Sequence, residues 1–295
     1  MTDTTAEKPN LGRPSPDYAR ASDSSSAALV NHHLMIGGTG RAGTSFLVRY
    51  LDLCGMNTMM QREGLATWND DANAGLENFP ESDAKLPYVI KSAWFHEFVS
   101  GFFKDPTRKL DAVLVPMRDL VEAASSRIIN DQVARFRDPA TPSECTTWER
   151  WGTTPGGVVY SLNPLDQARI LSLSFHAAIH ELVRHDVPLY FLDFPRFIED
   201  PDYLYAKLKP LLPNDCDQAK ARLAHESIAD TSMVRTGRDL NGPQPPRADA
   251  HTEPGITYPS AGSLNQAASS RVRKSIRPAP SLLRRILNRI RRVLG

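Results

Sequence analysis

The chain has 295 residues, is 41% hydrophobic and carries a net charge of +1. That is enough to bury the core of one ordinary domain or two small ones. The charge is uneven: nine Lys/Arg and no Asp or Glu lie between Arg271 and Gly295, and subtracting them leaves −8 on the rest. A mildly acidic body offers no nucleic-acid footprint. Cys54, Cys145 and Cys216 stand far apart in the sequence and make neither a disulfide framework nor a zinc pattern. No run approaches 18 apolar residues, and the first 30 residues lack the charged-then-apolar pattern of a signal sequence. The expected compartment is the reducing cytosol.

In chain order, residues 1–30 are rich in Ser, Thr, Pro, Asp and Ala without apolar period, and disorder is expected there. A globular body follows over 31–236. Its continuous apolar runs HLMIGG (33–38), PYVIKS (87–92), AVLVPMR (112–118) and PLYFLDF (188–194) predict buried parallel strands. Helical patterns alternate with them. One spans 44–54, with Phe46, Leu47, Tyr50 and Leu51 on one face, and another begins near Leu120. A third opens with Asn163 as N-cap and Pro164 at the first helical position, and runs towards Arg184. This alternation predicts an α/β fold of three layers around a mostly parallel sheet. Residues 237–280 resemble the first segment in composition and are expected to form a disordered linker. In 281–295, seven apolar residues from Leu282 to Leu294 share a helical arc of roughly 140°, with Arg284, Arg285, Arg289, Arg291 and Arg292 opposite. That is the composition of an amphipathic helix lying on an anionic membrane surface.

In a parallel sheet, ligands sit beyond the carboxyl ends of the strands. After the first run, Gly37, Gly38, Gly40 and Gly43 let the backbone curl and turn its N–H groups inward, just ahead of a helix N-terminus. Both features favour a phosphate. Gly38 and Gly43 have the spacing of an ATP-binding P-loop, and Ser45 fits its last position, but Thr44 replaces the lysine that reaches the outer phosphates.

The string Arg41-Ala42-Gly43-Thr44-Ser45-Phe46-Leu47 resembles instead the 5′-phosphosulfate loop of sulfotransferases, in which the cation precedes the glycine. Those enzymes share a P-loop-type fold and move a sulfuryl group from 3′-phosphoadenosine-5′-phosphosulfate to an acceptor, without a metal. Ala42 departs from the hydroxyl common at its place. The resemblance covers about residues 32–234 and implies that Gly40 to Ser45 hold the 5′-phosphosulfate. It also implies that Arg118, ending the third run, and Ser126, eight residues on, hold the 3′-phosphate; Leu120 replaces the family's proline. Lys91, ending the second run, matches a lysine facing the transferred group. The segment FLDFPRFIEDPDYLYAKLKPLL (191–212) is similar to bacterial members. The later Arg-Lys-Gly stretch of the animal enzymes has no counterpart in VRTGRD (234–239).

The base that removes the acceptor's proton is open. The animal enzymes carry a histidine where this chain has Ala93. Glutamates serve elsewhere in the family, and Glu63 and Glu77 are the candidates, with His96 a weaker one. The implied acceptor is a hydroxyl or amine of a carbohydrate, glycolipid or small molecule. Trp148, Trp151 and residues 152–157 form either an acceptor lid or an ordinary connection with two buried tryptophans. His176 and His180 have a metal-compatible spacing, but an amphipathic helix accounts for both. Two other readings stay open: a P-loop kinase or nucleotide hydrolase, with Asp119 serving magnesium, and a non-catalytic nucleotide-binding module tethered to membrane.

Overall fold

The computed structural model describes residues 30–61, 68–69, 74–78, 86–137, 156–158, 160–234 and 260–276. In chain order these form β1 (Asn31–Ile36), α1 (Thr44–Leu53), β2 (Trp68–Asn69), β3 (Ala74–Gly75), β4 (Val89–Lys91), α2 (Phe95–Phe102) and β5 (Arg108–Met117). There follow α3 (Leu120–Arg137), α4 (Pro164–Arg184), β6 (Leu189–Asp193), α5 (Arg196–Glu199), α6 (Pro201–Leu208), α7 (Gln218–Ile228) and α8 (Ala261–Ile276). All four expected strands and the three expected helices are present.

The main sheet has the order β4-β1-β5-β6, every pair parallel. Side chains alternate across it, as the strand period requires. Leu34, Ile36, Leu114 and Leu192 face α1, α5, α6 and α7, whereas Met35, Val113 and Val115 face α2 and α4. The α/β class and its parallel sheet are therefore as expected. From β1 the chain crosses to β4 on one side, and from β5 it crosses to β6 on the other. The strand order thus reverses between β1 and β5, which opens a crevice at their carboxyl ends. Pro116, near the end of β5, has no N–H to offer the departing β1 strand, whose last bond to β5 runs from Gly37 N–H to Leu114 O at 3.0 Å.

One expectation is corrected. The linker expected over 237–280 contains α8, a helix of 16 residues packed on α3. Leu264 and Ala268 are fully buried, and Val272 continues the same stripe against Ile128, Ile129 and Val133. Small residues dominate that stripe, so its composition looks like a linker although its spacing is helical. Cys54 and Cys216, remote in sequence, are buried together, and burial, with a hydrogen bond from the Cys54 thiol to Cys216, pushes the Cys54 pKa up to about 12. Cys145, Trp148, Trp151, residues 1–29 and the basic 281–295 segment lie outside the described residues. Among the described residues, no helix is long and apolar enough to cross a membrane.

Candidate functional site

The glycine loop sits at the mouth of the crevice. Gly43 caps α1 in the left-handed conformation (φ 73°), and no side chain caps the helix there. The first-turn N–H groups, from Thr44 onward, are left for a ligand, at the positive end of the helix. A Cβ on Gly43 would lie 2.8 Å from the Phe197 ring, so packing as well as backbone conformation demands glycine. Arg41 is itself left-handed (φ 56°) and its Nε donates to Ser126 Oγ at 3.4 Å.

Lys91 ends β4 directly below the loop and is 1% exposed. Its ammonium donates to Glu77 Oε1, to Gly75 O at 2.8 Å and to Ser45 Oγ at 3.4 Å. Burial holds the Lys91 pKa below the usual lysine range; the Glu77 carboxylate opposes that shift, and Arg41 adds to it. The second Glu77 oxygen accepts from the Ala93 N–H at 2.8 Å. Both oxygens of this candidate base are thus engaged. Asn78 fixes the same segment to β4: its Oδ1 accepts from the Lys91 N–H at 3.1 Å, and its own N–H donates to Lys91 O at 2.7 Å.

Arg118 follows β5. Its Nη1 donates to Arg41 O at 2.7 Å and its Nε to Glu122 Oε2 at 3.2 Å, while its guanidinium lies 5.2 Å from the Phe194 ring centre. Burial lowers its pKa, with Glu122 and Asp119 opposing. Asp119, the magnesium candidate, is exposed and accepts from the Glu122 N–H at 2.9 Å, where it opens α3.

These groups surround one cleft of about 890 Å³, its open mouth included. Arg41, Gly43, Thr44, Ser45, Glu77, Lys91, Arg118 and Ser126 all line it. Gly40 and Ala42 do not; both are buried in the loop behind. Glu63 lies outside the described residues. His96 lines a separate small cavity between α2 and α4, with its Nε2 3.5 Å from Glu97 Oε1. His176 and His180 stack on the exposed side of α4, ring centres 6.4 Å apart. Among the described residues, no cluster of three or more His, Cys, Asp or Glu is placed to hold a metal.

Three contributions were not legible beforehand. Arg49, one turn beyond Ser45 on α1, adds a fourth cation to the lining, a position the helical period of that segment encodes. Phe46, Ile198, Ile228, Met233 and Val234 supply apolar walls. Arg127, behind the loop, holds it by hydrogen bonds to backbone. The lining thus combines cations and helix N–H groups with apolar side chains and a carboxylate, Asp230. It is chemically fit for an anion carrying a flat apolar group. Comparison of the chain with protein-family models, with curated proteins and with solved structures finds no match.

Proposed function

We propose that this chain is a sulfotransferase of P-loop-type fold that uses 3′-phosphoadenosine-5′-phosphosulfate as sulfuryl donor. The observation that carries the reading is convergence. Arg41, Lys91, Arg118, Ser126 and the open N-terminus of α1, drawn from three separate stretches of sequence, line a single cleft that also has apolar walls. In this scheme the 5′-phosphosulfate lies on the α1 N-terminus between Arg41 and Lys91, the 3′-phosphate meets Arg118 and Ser126, and the base rests against the apolar walls.

Transfer is an in-line displacement at sulfur. The acceptor oxygen or nitrogen forms the new bond to sulfur as the bond to the 5′-phosphate oxygen breaks. That oxygen keeps the electron pair, and adenosine 3′,5′-bisphosphate leaves. Arg41, Lys91 and the N–H groups of Thr44 and Ser45 stabilise the growing charge. The acceptor's proton goes to a carboxylate. Glu77 serves if Lys91 turns to the leaving oxygen, since that movement releases Oε1. The acceptor is a carbohydrate, glycolipid or small molecule.

Calorimetric titration with adenosine 3′,5′-bisphosphate, against ATP with magnesium, tests the donor. Wild type is expected to prefer the bisphosphate, and Arg118→Ala to weaken it by roughly tenfold to a hundredfold, the weight of a charge-assisted phosphate fork. Preference for ATP with magnesium, untouched by Arg118→Ala, overturns the reading in favour of a kinase.

Attachment of the 281–295 segment to an anionic membrane belongs to the same proposal. The charge segregation supports it, with seven apolar residues on one helical arc and five arginines opposite. Cosedimentation with phosphatidylglycerol vesicles, and not with phosphatidylcholine, is expected. Replacing the five arginines between Arg284 and Arg292 by glutamine should abolish it. Equal binding to neutral vesicles sinks the idea.

A further inference from the structure

Behind the glycine loop lies a cation that the donor signature does not use. Arg127, the residue after Ser126 on α3, is fully buried. Its Nε donates to Thr39 O at 2.6 Å, its Nη1 to Gly157 O at 2.6 Å and its Nη2 to Ala93 O at 3.1 Å. One guanidinium therefore ties together the loop after β1, the segment after β4 and the segment ahead of α4. Every one of these acceptors is a carbonyl.

The same helix provides a contrast. Two turns on, Arg135 is equally buried but pairs with Asp131 at 2.8 Å. Arg127 has no carboxylate in contact among the described residues, and Glu77, whose charge favours its protonated form from a distance, is already shared with Lys91 and Ala93. Burial lowers the Arg127 pKa to about 10, which leaves it charged at neutral pH. A buried cation answered only by dipoles is costly to fold around. The loop is shaped to sit on it: a Cβ on Gly40, whose φ is 68°, would stand 3.1 Å from Nη2.

We propose that Arg127 is the positioning residue of the anion site: its fork holds the three loop segments in register, and its charge is balanced by the anion the cleft receives. This rests on the cleft being an anion site, and holds whether or not the anion is a sulfated nucleotide.

The test uses the full chain as wild type, Arg127→Ala and Arg127→Lys. Urea unfolding is recorded first. Binding of inorganic pyrophosphate and of adenosine 3′,5′-bisphosphate is then measured with and without millimolar guanidinium, against equal urea or sodium chloride. Arg127→Ala is expected to bind both probes at least about tenfold more weakly, with recovery in guanidinium and none in urea, which has the donors without the charge. Arg127→Lys keeps the charge but loses the fork, and is expected to stay folded with affinity reduced severalfold. Should Arg127→Ala fail to fold, Arg127→Lys decides alone. Wild-type affinity in whichever variant folds, or equal rescue by urea, overturns the proposal. Wild type that binds pyrophosphate but not the bisphosphate overturns the sulfotransferase reading alone, and the Arg127 comparison then proceeds on pyrophosphate. Binding of neither probe overturns both.

Discussion

Lys91 and Arg127 are both fully buried beside the glycine loop, and they are held in opposite ways. Lys91 rests on a carboxylate, Glu77, whereas Arg127 rests on three backbone carbonyls. A paired charge projects little field beyond its partner; a charge held by dipoles keeps most of its field. On the proposed reading, Arg127 is therefore a standing contribution to the anion site. Lys91 contributes only when something draws it from Glu77, and the same event frees the carboxylate. The chemistry of the two side chains fits their stations: the planar fork suits three fixed carbonyls, and the flexible ammonium suits a change of partner.

The largest expected effect breaks the paired half of that comparison. Lys91→Met strands the Glu77 carboxylate at a site where it is 9% exposed, and should cost about 3–5 kcal/mol in urea unfolding. Adding Glu77→Leu removes the stranded charge, so the double variant should regain most of the loss. If the double variant is less stable than Lys91→Met alone, the two residues do not form one electrostatic unit, and Glu77 stabilises the fold on its own account.

A smaller effect probes the field of the unpaired half. His33 and His96 both lie below their usual value of 6.5, chiefly through burial; nearby Arg127 adds to the shift of His96, and Arg108 to that of His33. The unfolded chain takes up these protons near pH 6.5 and the folded chain resists, so the unfolded state holds more protons below that pH. Stability is therefore retained above pH 6.5 and falls as pH drops below it, by at most about 1.4 kcal/mol per pH unit for each histidine. Urea midpoints from pH 7.5 to 5 should show this decline, and His96→Gln should make it shallower. A slope unchanged by His96→Gln would mean that this imidazole charges as readily in the fold as outside it.

Much of the scaffold is written locally. Continuous apolar runs mark strands covered on both faces, and the Asn163-Pro164 pair starts α4 just where its N-cap bonds to Leu165 and Asp166 stand in the structure. The glycines around Arg41 mark a tight turn ahead of a helix, and the eight-residue step from Arg118 to Ser126 carries a strand end into the second turn of α3. These signals depend on backbone conformation and on side-chain periodicity, which a short stretch of sequence specifies by itself.

The rest depends on what other segments bring. Arg127 reads in sequence as one more helical arginine, and only the closure of three loops around it makes it a buried cation. Glu77 and Lys91 are fourteen residues apart, and their pairing exists because the segment after β3 runs alongside the end of β4. The stripe of Leu264, Ala268 and Val272 is too weak to declare a buried helix until Ile128, Ile129 and Val133 of α3 lie against it. Sequence alone determined the four main strands, α1, α3 and α4, and where the backbone can curl tightly ahead of a helix. Tertiary structure decided which charges are buried and what neutralises them, because desolvation and partner choice depend on residues distant along the chain.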